Sequence, residues 1–201
     1  MTASTPPIVI SGAGLAGALL AAQLANAGFQ VAVLERNGDL RREQIAAGRS
    51  INLALAARGW EGLRRANATA KVFEYVLPMR GRMLHNRDGE TQLQTYGLAA
   101  DEVIWSVHRG RLNQTLIDAA TDAGARVQFH TRLVNVDFAA RRARFVDDNQ
   151  QTEFEIEYEV LIGADGAGSA LRAAMEAQQP LDQHTDFLDH GYKELTIPPL
   201  P

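Results

Sequence analysis

One stretch near the start of the chain constrains its fold more than any other: Pro7-Ile8-Val9-Ile10-Ser11-Gly12-Ala13-Gly14-Leu15-Ala16-Gly17. A short apolar strand runs into Gly-x-Gly-x-x-Gly. Leu15, Ala18, Leu19, Ala22 and Ala25 then recur at helical spacing, Gly28 stops the helix, and Gln30 to Leu34 forms a second strand. Each glycine has a physical task in such a unit. Gly12 allows the tight turn out of the strand, Gly14 lets the backbone approach a pyrophosphate without an intervening side chain, and Gly17 lets the helix pack closely. Phosphate at Gly14, Leu15 and Ala16 would meet unpaired backbone N–H groups at the positive end of the helix dipole. Glu35 closes the second strand, eighteen residues after Gly17, where a carboxylate accepts hydrogen bonds from ribose hydroxyls. Strand, glycines, helix, strand and acid in this register point to a dinucleotide site. Arg36 beside the acid reads either as a solvated charge or as a partner for the adenosine.

Composition narrows the partners. A chain of 201 residues holds one good core or slightly more, and 46% hydrophobic with 22% charged residues is ordinary for a soluble globular protein. A formal net charge of −4 argues against a nucleic-acid binder relying on general phosphate attraction. The absence of cysteine excludes a disulfide framework, thiolate metal ligands and a cysteine nucleophile, and fits a reducing compartment such as the cytoplasm. Met1 to Pro7 lacks the basic start and apolar stretch of a signal peptide. The most apolar run, Leu15 to Ala25, is interrupted by Gln23 and falls short of the ~20 residues that span a bilayer. No membrane segment is expected.

Downstream, Asn37 to Ala47 reads as a polar surface excursion. Gly48-Arg49-Ser50-Ile51-Asn52-Leu53-Ala54-Leu55 is either a core strand or backbone passing along a cofactor, with Arg49 near an anionic group. Ala56 to Ala70 reads as a helix with Trp60 and Leu63 on one face. Pro78 stops the next segment, and Met79 to His85 and Thr91 to Tyr96 form a hairpin about the Asp88-Gly89 turn. Its Arg82 faces water, or else faces a pocket where it suits a bidentate carboxylate contact, with Tyr96 supplying an aromatic wall and a hydroxyl. Val103 to Val107 is a strand, followed by a helix with Leu112, Leu116, Ile117 and Ala120 buried and Gly124 as its stop. Arg109 at that strand-to-helix junction is exposed or reaches a phosphate. His108 has no second histidine or acid at ligand spacing, so no metal is expected. Arg126 to His130, Leu133 to Phe138, Arg142 to Val146 and Thr152 to Val160 read as strands, the last with Glu153, Glu155, Glu157 and Glu159 on a wet face.

A second signature follows: Val160-Leu161-Ile162-Gly163-Ala164-Asp165-Gly166-Ala167-Gly168-Ser169, a buried strand entering a Gly-Ala-Asp-Gly turn and a helix through Glu176. It lacks a full Gly-x-Gly-x-x-Gly and an acid of its own. It resembles the Asp-Gly motif of the class A flavoprotein monooxygenases, the para-hydroxybenzoate hydroxylase-like family. Gly48 to Leu55, Met79 to Met83, Glu102 to Ser106, Arg109 to Asn113 and His190 to Leu195 narrow the resemblance to the kynurenine-hydroxylating branch, over nearly the whole chain.

The resemblance implies an α/β fold: a Rossmann-like FAD-binding domain of the para-hydroxybenzoate hydroxylase type, residues 1–70 and 100–177. A discontinuous, incomplete β-rich substrate domain would take residues 71–99 and 178–201. It implies FAD as bound cofactor, NADPH as transient co-substrate, O₂ and L-kynurenine as substrates, and 3-hydroxykynurenine as product, in tryptophan catabolism. Asp165 and Gly166 would support FAD. Ala54 and Arg109 would contact it, with a residue at Leu133 or Val134. Arg82 would bind the substrate carboxylate and Tyr96 would line the same pocket. The flavin carries the chemistry, so no side chain is assigned as catalytic acid, base or nucleophile. Family members are about twice this long, near the upper size of one compact unit, so the chain is expected to be an N-terminal fragment that exposes apolar surface. A truncated, catalytically incompetent FAD- or nucleotide-binding fragment of that family is the alternative. A plain NAD(P) dehydrogenase is a third reading, which the Asp165-Gly166 turn and the Arg82/Tyr96 hairpin oppose.

Overall fold

The computed structural model describes residues 6–43, 53–99 and 101–191. Of the expectations above, residues 44–52, 100 and 192–201 lie outside the described residues, including Arg49 and the Tyr192 to Leu195 stretch. The apolar run Ile8–Ser11 forms β1, buried along its whole length, and the small-residue helix α1 (Leu15–Asn26) packs on it through Ala18, Ala21, Ala22 and Ala25. Gly28 ends α1 at φ +88°, a conformation that favours glycine, and β2 (Val31–Leu34) runs parallel to β1.

After β3 (Leu53–Leu55), the expected single helix over Ala56 to Ala70 is instead two, α2 (Ala57–Arg65) and α3 (Thr69–Phe73). Asn67 causes the break. It takes φ 55°, and the Ala68 N–H reaches back to the Leu63 carbonyl at 2.9 Å, closing α2 with a left-handed cap. Pro78 does not stop its segment but lies within β4 (Leu77–Met79), opposite Trp105 of β7 (Ile104–Val107). β4 is an edge of the β3-β7-β4 sheet, where a residue with no N–H to donate is tolerated. Between them β5 (Gly81–His85) and β6 (Thr91–Thr95) form the expected hairpin, with Gly89 at φ +90°.

His108 caps α4 (Arg109–Asp122), its Nδ1 accepting from the Arg111 N–H at 3.2 Å, which gives this histidine a structural role. Next come β8 (Arg126–Gln128), β9 (Thr131–Asp137), β10 (Arg142–Asp147), β11 (Thr152–Glu157), β12 (Val160–Gly163) and α5 (Ala170–Gln178). The expected strand over Thr152 to Val160 thus divides. Tyr158 turns inward, buried, and Glu159 donates its N–H to the Pro7 carbonyl at 3.1 Å, carrying the chain from one sheet into another. The glutamate face of β11 is wet as expected, with Glu157 paired to Arg142 at 2.8 Å.

The main sheet is parallel, in the order β12-β1-β2-β8. β12 is its edge strand, so Val160 is 46% exposed where the sequence reading had a buried strand. The antiparallel β11-β10-β9 sheet packs Phe145 and Leu133 against Val9 and Leu34. A second core joins α1, α4 and β1 through Ala22, Ile10, Leu116 and Ile117. Residues 179–191 are exposed throughout, with Phe187 at 92% and Leu188 at 83%.

Candidate dinucleotide site

In the parallel sheet β1 is flanked by β2, reached through α1, and by β12, reached from the far end of the chain. At such a switch point the loops leaving the strand ends diverge and open a crevice. Here the two sequence motifs meet. Gly12, at φ +102°, lies so close to the second turn that a Cβ there would stand 2.5 Å from the Ala164 carbonyl oxygen and 2.9 Å from the Asp165 Cα. Gly17 is buried behind it, and a Cβ there would collide with the Gly12 carbonyl. Gly14 is the opposite case, extended at φ −65°, with no atom within 4 Å of a Cβ built on it.

The crevice has a volume of about 580 Å³. Gly12, Gly14, Leu15 and Ala16 form its floor, Glu35 and Arg36 one wall, and Arg109, Leu133, Asp165 and Gly166 complete it. The backbone N–H groups of Gly14, Leu15 and Ala16 find no acceptor among the described residues, as at the open start of a helix. Glu35 holds the floor to the wall: its Oε2 accepts from the Ala13 N–H at 2.7 Å and its Oε1 from the Asn37 N–H and Nδ2, both at 2.8 Å. A carboxylate offers about four acceptor positions, so capacity remains for ribose hydroxyls. Arg36, Arg109 and Arg132 are the cations of the lining, Arg132 being paired with Asp148 at 2.9 Å. An open glycine face, orphaned N–H groups at a helix start, a ribose-type carboxylate and arginines suit the adenosine and pyrophosphate of FAD.

Asp165 holds its own turn: Oδ2 accepts from the Ala170 N–H at 2.7 Å and Oδ1 from Ser169 Oγ at 2.6 Å, while Gly166 takes φ +84°. Leu133 lies on the crevice wall, but Val134 does not. The β9–β10 register shifts at Val134, leaving it unpaired and 39% exposed. Ala54 is exposed on β3 opposite Ser106 and outside the crevice. Arg82 and Tyr96 lie on the hairpin, also outside it. Arg82 Nε donates to Gln94 Oε1 at 2.6 Å, and Tyr96 is 45% exposed.

Three features escaped the sequence reading. Asn113, buried, donates from Nδ2 to the Ala13 carbonyl at 2.9 Å. Its position one turn after Arg109 was the available signal, since residues four apart share a helix face. Thr131 lines the crevice from the start of β9, 1% exposed. The segment after Glu35, read as a polar surface excursion, is pinned over residues 37–43. Asp39 is 7% exposed and bonded to Arg41 at 2.8 Å, Arg41 reaches Asp118 of α4 at 3.1 Å, and Gln114 Nε2 donates to the Leu40 carbonyl at 2.5 Å. Arg41 holds the Asp39 carboxyl below its ordinary value, mainly through that hydrogen bond.

Comparison with known proteins identifies the family and the fold. Residues 5–192 match the model of the FAD binding domain family. A kynurenine 3-monooxygenase of Xanthomonas oryzae pv. oryzae is 56% identical over 194 residues, 96% of this chain and 43% of the relative. One from Xanthomonas campestris pv. campestris is 53% identical over 201 residues, 99% of this chain and 44% of the relative. The chain therefore spans less than half the length of these relatives. Among solved structures, the flavin-dependent monooxygenase PieE in complex with FAD and substrate superposes with a TM-score of 0.72 at 20% identity, over 85% of this chain and 32% of that one, and so supports the fold. With motif junction, crevice and family match in agreement, the chain belongs to the FAD binding domain family and has its α/β fold.

Proposed function

We propose that the chain supplies the adenine and pyrophosphate half of the FAD site, and part of the substrate surface, of a monooxygenase. That enzyme converts L-kynurenine, O₂, NADPH and a proton into 3-hydroxykynurenine, water and NADP⁺. The observation that carries the reading is the crevice where Gly12 abuts Ala164 and Asp165 beside Glu35. The name borne by relatives 53–56% identical supports the choice of substrate.

When bound, FAD supplies the electron transfer and oxygen activation that side chains lack. The N–H groups of Gly14, Leu15 and Ala16 hold its pyrophosphate, Glu35 its ribose, Arg36 and Arg109 its negative charge, and Leu133 its adenine edge. Asp165 and Gly166 shape the second turn behind it. Residues 1–70 and 100–177 form the FAD-binding part, 71–99 and 178–201 the substrate part, with NADPH a visiting reductant. On the hairpin, Arg82 is oriented by Gln94 while its two terminal nitrogens find no acceptor among the described residues, which suits a bidentate grip on the substrate carboxylate. Tyr96 follows on the same hairpin face as Gln94 and would flank the ring.

One observation favours a second reading, an FAD-binding but catalytically incompetent unit: every residue of β6, and all of β5 but Gly81, is exposed. Purified chain is mixed with FAD and titrated with L-kynurenine and NADPH while flavin absorbance and NADPH loss are followed. Retained flavin with kynurenine-stimulated NADPH loss and 3-hydroxykynurenine supports the first reading. Retained flavin without turnover supports the second, and absence of retained flavin refutes both.

A further inference from the structure

We propose that Asn113 is a positioning residue for the FAD pyrophosphate, acting through the Ala13–Gly14 peptide; the inference rests on the FAD reading above. Ala13 is gripped at both polar backbone atoms. Its N–H donates to Glu35 Oε2 at 2.7 Å, and its carbonyl accepts from Asn113 Nδ2 at 2.9 Å, a contact between residues one hundred positions apart. Asn113 is 6% exposed, so its side chain lies among protein atoms and not out in solvent. In a trans peptide the N–H points opposite to the preceding carbonyl. Drawing the Ala13 carbonyl toward α4 therefore turns the Gly14 N–H away from α4. That N–H finds no acceptor among the described residues, and Gly14 lines the crevice.

The loop needs such a hold because Gly12 and Gly14 flank Ala13, and glycine backbone admits several conformations. Without the amide donor, the buried Ala13 carbonyl loses its partner, and rotation of the peptide toward the crevice would present an oxygen to the phosphate in place of an N–H. The same helix places Arg109 one turn earlier in the crevice lining, so one face of α4 contributes a charge and the amide that holds the Ala13–Gly14 peptide.

The test compares N113L and N113A with the unaltered 201-residue chain, using calorimetric titration with ADP and with adenosine, and flavin fluorescence for FAD. N113L keeps volume and removes the donor; N113A removes both. The expected result is about tenfold weaker binding of ADP and FAD, with adenosine affinity within about twofold. Equal losses for ADP and adenosine, or undiminished ADP binding, overturn the inference alone. Unfolding of both variants also overturns it, by making Asn113 purely structural. An unaltered chain that binds neither FAD nor ADP overturns the FAD reading together with the inference.

Discussion

Replacing Gly12 and Gly14 separately with alanine should divide folding from binding, although the two glycines are two residues apart. At Gly12 the new Cβ takes a φ of +102° and meets the Ala164 carbonyl oxygen at 2.5 Å, the Ala164 carbonyl carbon at 2.7 Å and the Asp165 Cα at 2.9 Å. Left-handed strain costs about 1–2 kcal/mol. All three atoms are backbone of the second turn, which must shift, and overpacking of this kind costs about 1–3 kcal/mol more. The sum, about 2–5 kcal/mol, is a large share of a typical stability of about 5–15 kcal/mol. With a urea slope of about 2 kcal/mol/M the unfolding midpoint should fall by about 1–2.5 M. At Gly14 the backbone is extended and a Cβ meets nothing within 4 Å, so stability should stay within about 1 kcal/mol. On the proposed FAD reading, the methyl group then stands where pyrophosphate would approach. Loss of two charge-assisted hydrogen bonds, each about 1.5–3 kcal/mol, weakens FAD binding by at least about 100-fold. Urea unfolding by circular dichroism and FAD titration by flavin fluorescence measure the two effects. If Gly14→Ala loses as much stability as Gly12→Ala, or binds FAD as the unaltered chain does, the division of tasks between the glycines is refuted.

Phe145→Ala should destabilise by about 3–5 kcal/mol, because Phe145 is fully buried and stacks on Phe154 at 6.1 Å; a urea midpoint that does not move would contradict this. Asp39→Asn tests the pinned segment through pH. Arg41 holds the Asp39 carboxyl below its ordinary 3.8, so the pair's contribution is complete above that value and is lost as pH falls through the lower folded value. The variant should be less stable than the unaltered chain at neutral pH, with the gap closing in acid below 3.8; a gap that persists there counts against the ion pair. FAD at 100 times its dissociation constant should stabilise the chain by about 2.7 kcal/mol and raise its melting temperature by about 5–10 °C in a thermal scan. Arg82→Met should abolish the kynurenine-induced change in flavin absorbance while FAD affinity stays within about twofold, since Arg82 lies outside the crevice; a matching loss of FAD would move Arg82 into the cofactor site.

The FAD unit was legible in the sequence because its signals are local. A glycine's permitted conformations, a helix period from Leu15 to Ala25 and an acid at the end of the next strand depend on neighbours along the chain, and in the structure Gly12, Gly14 and Glu35 line one crevice. Local periodicity also revealed α4 and the β5–β6 hairpin. It misjudged the ends of elements wherever a distant partner decided them. Asn67 closes α2 through a cap that propensity does not announce, and Glu159 leaves β11 to bond Pro7. Only tertiary structure decided that Gly12 abuts Ala164, that β12 lies at an edge, that Val134 is expelled from the β9–β10 register, and that Asn113 grips Ala13. The physical reason is the same in each case. Chain composition sets which conformations a residue tolerates, whereas the partner of a buried polar atom or a close glycine is set by how whole strands and helices register against one another.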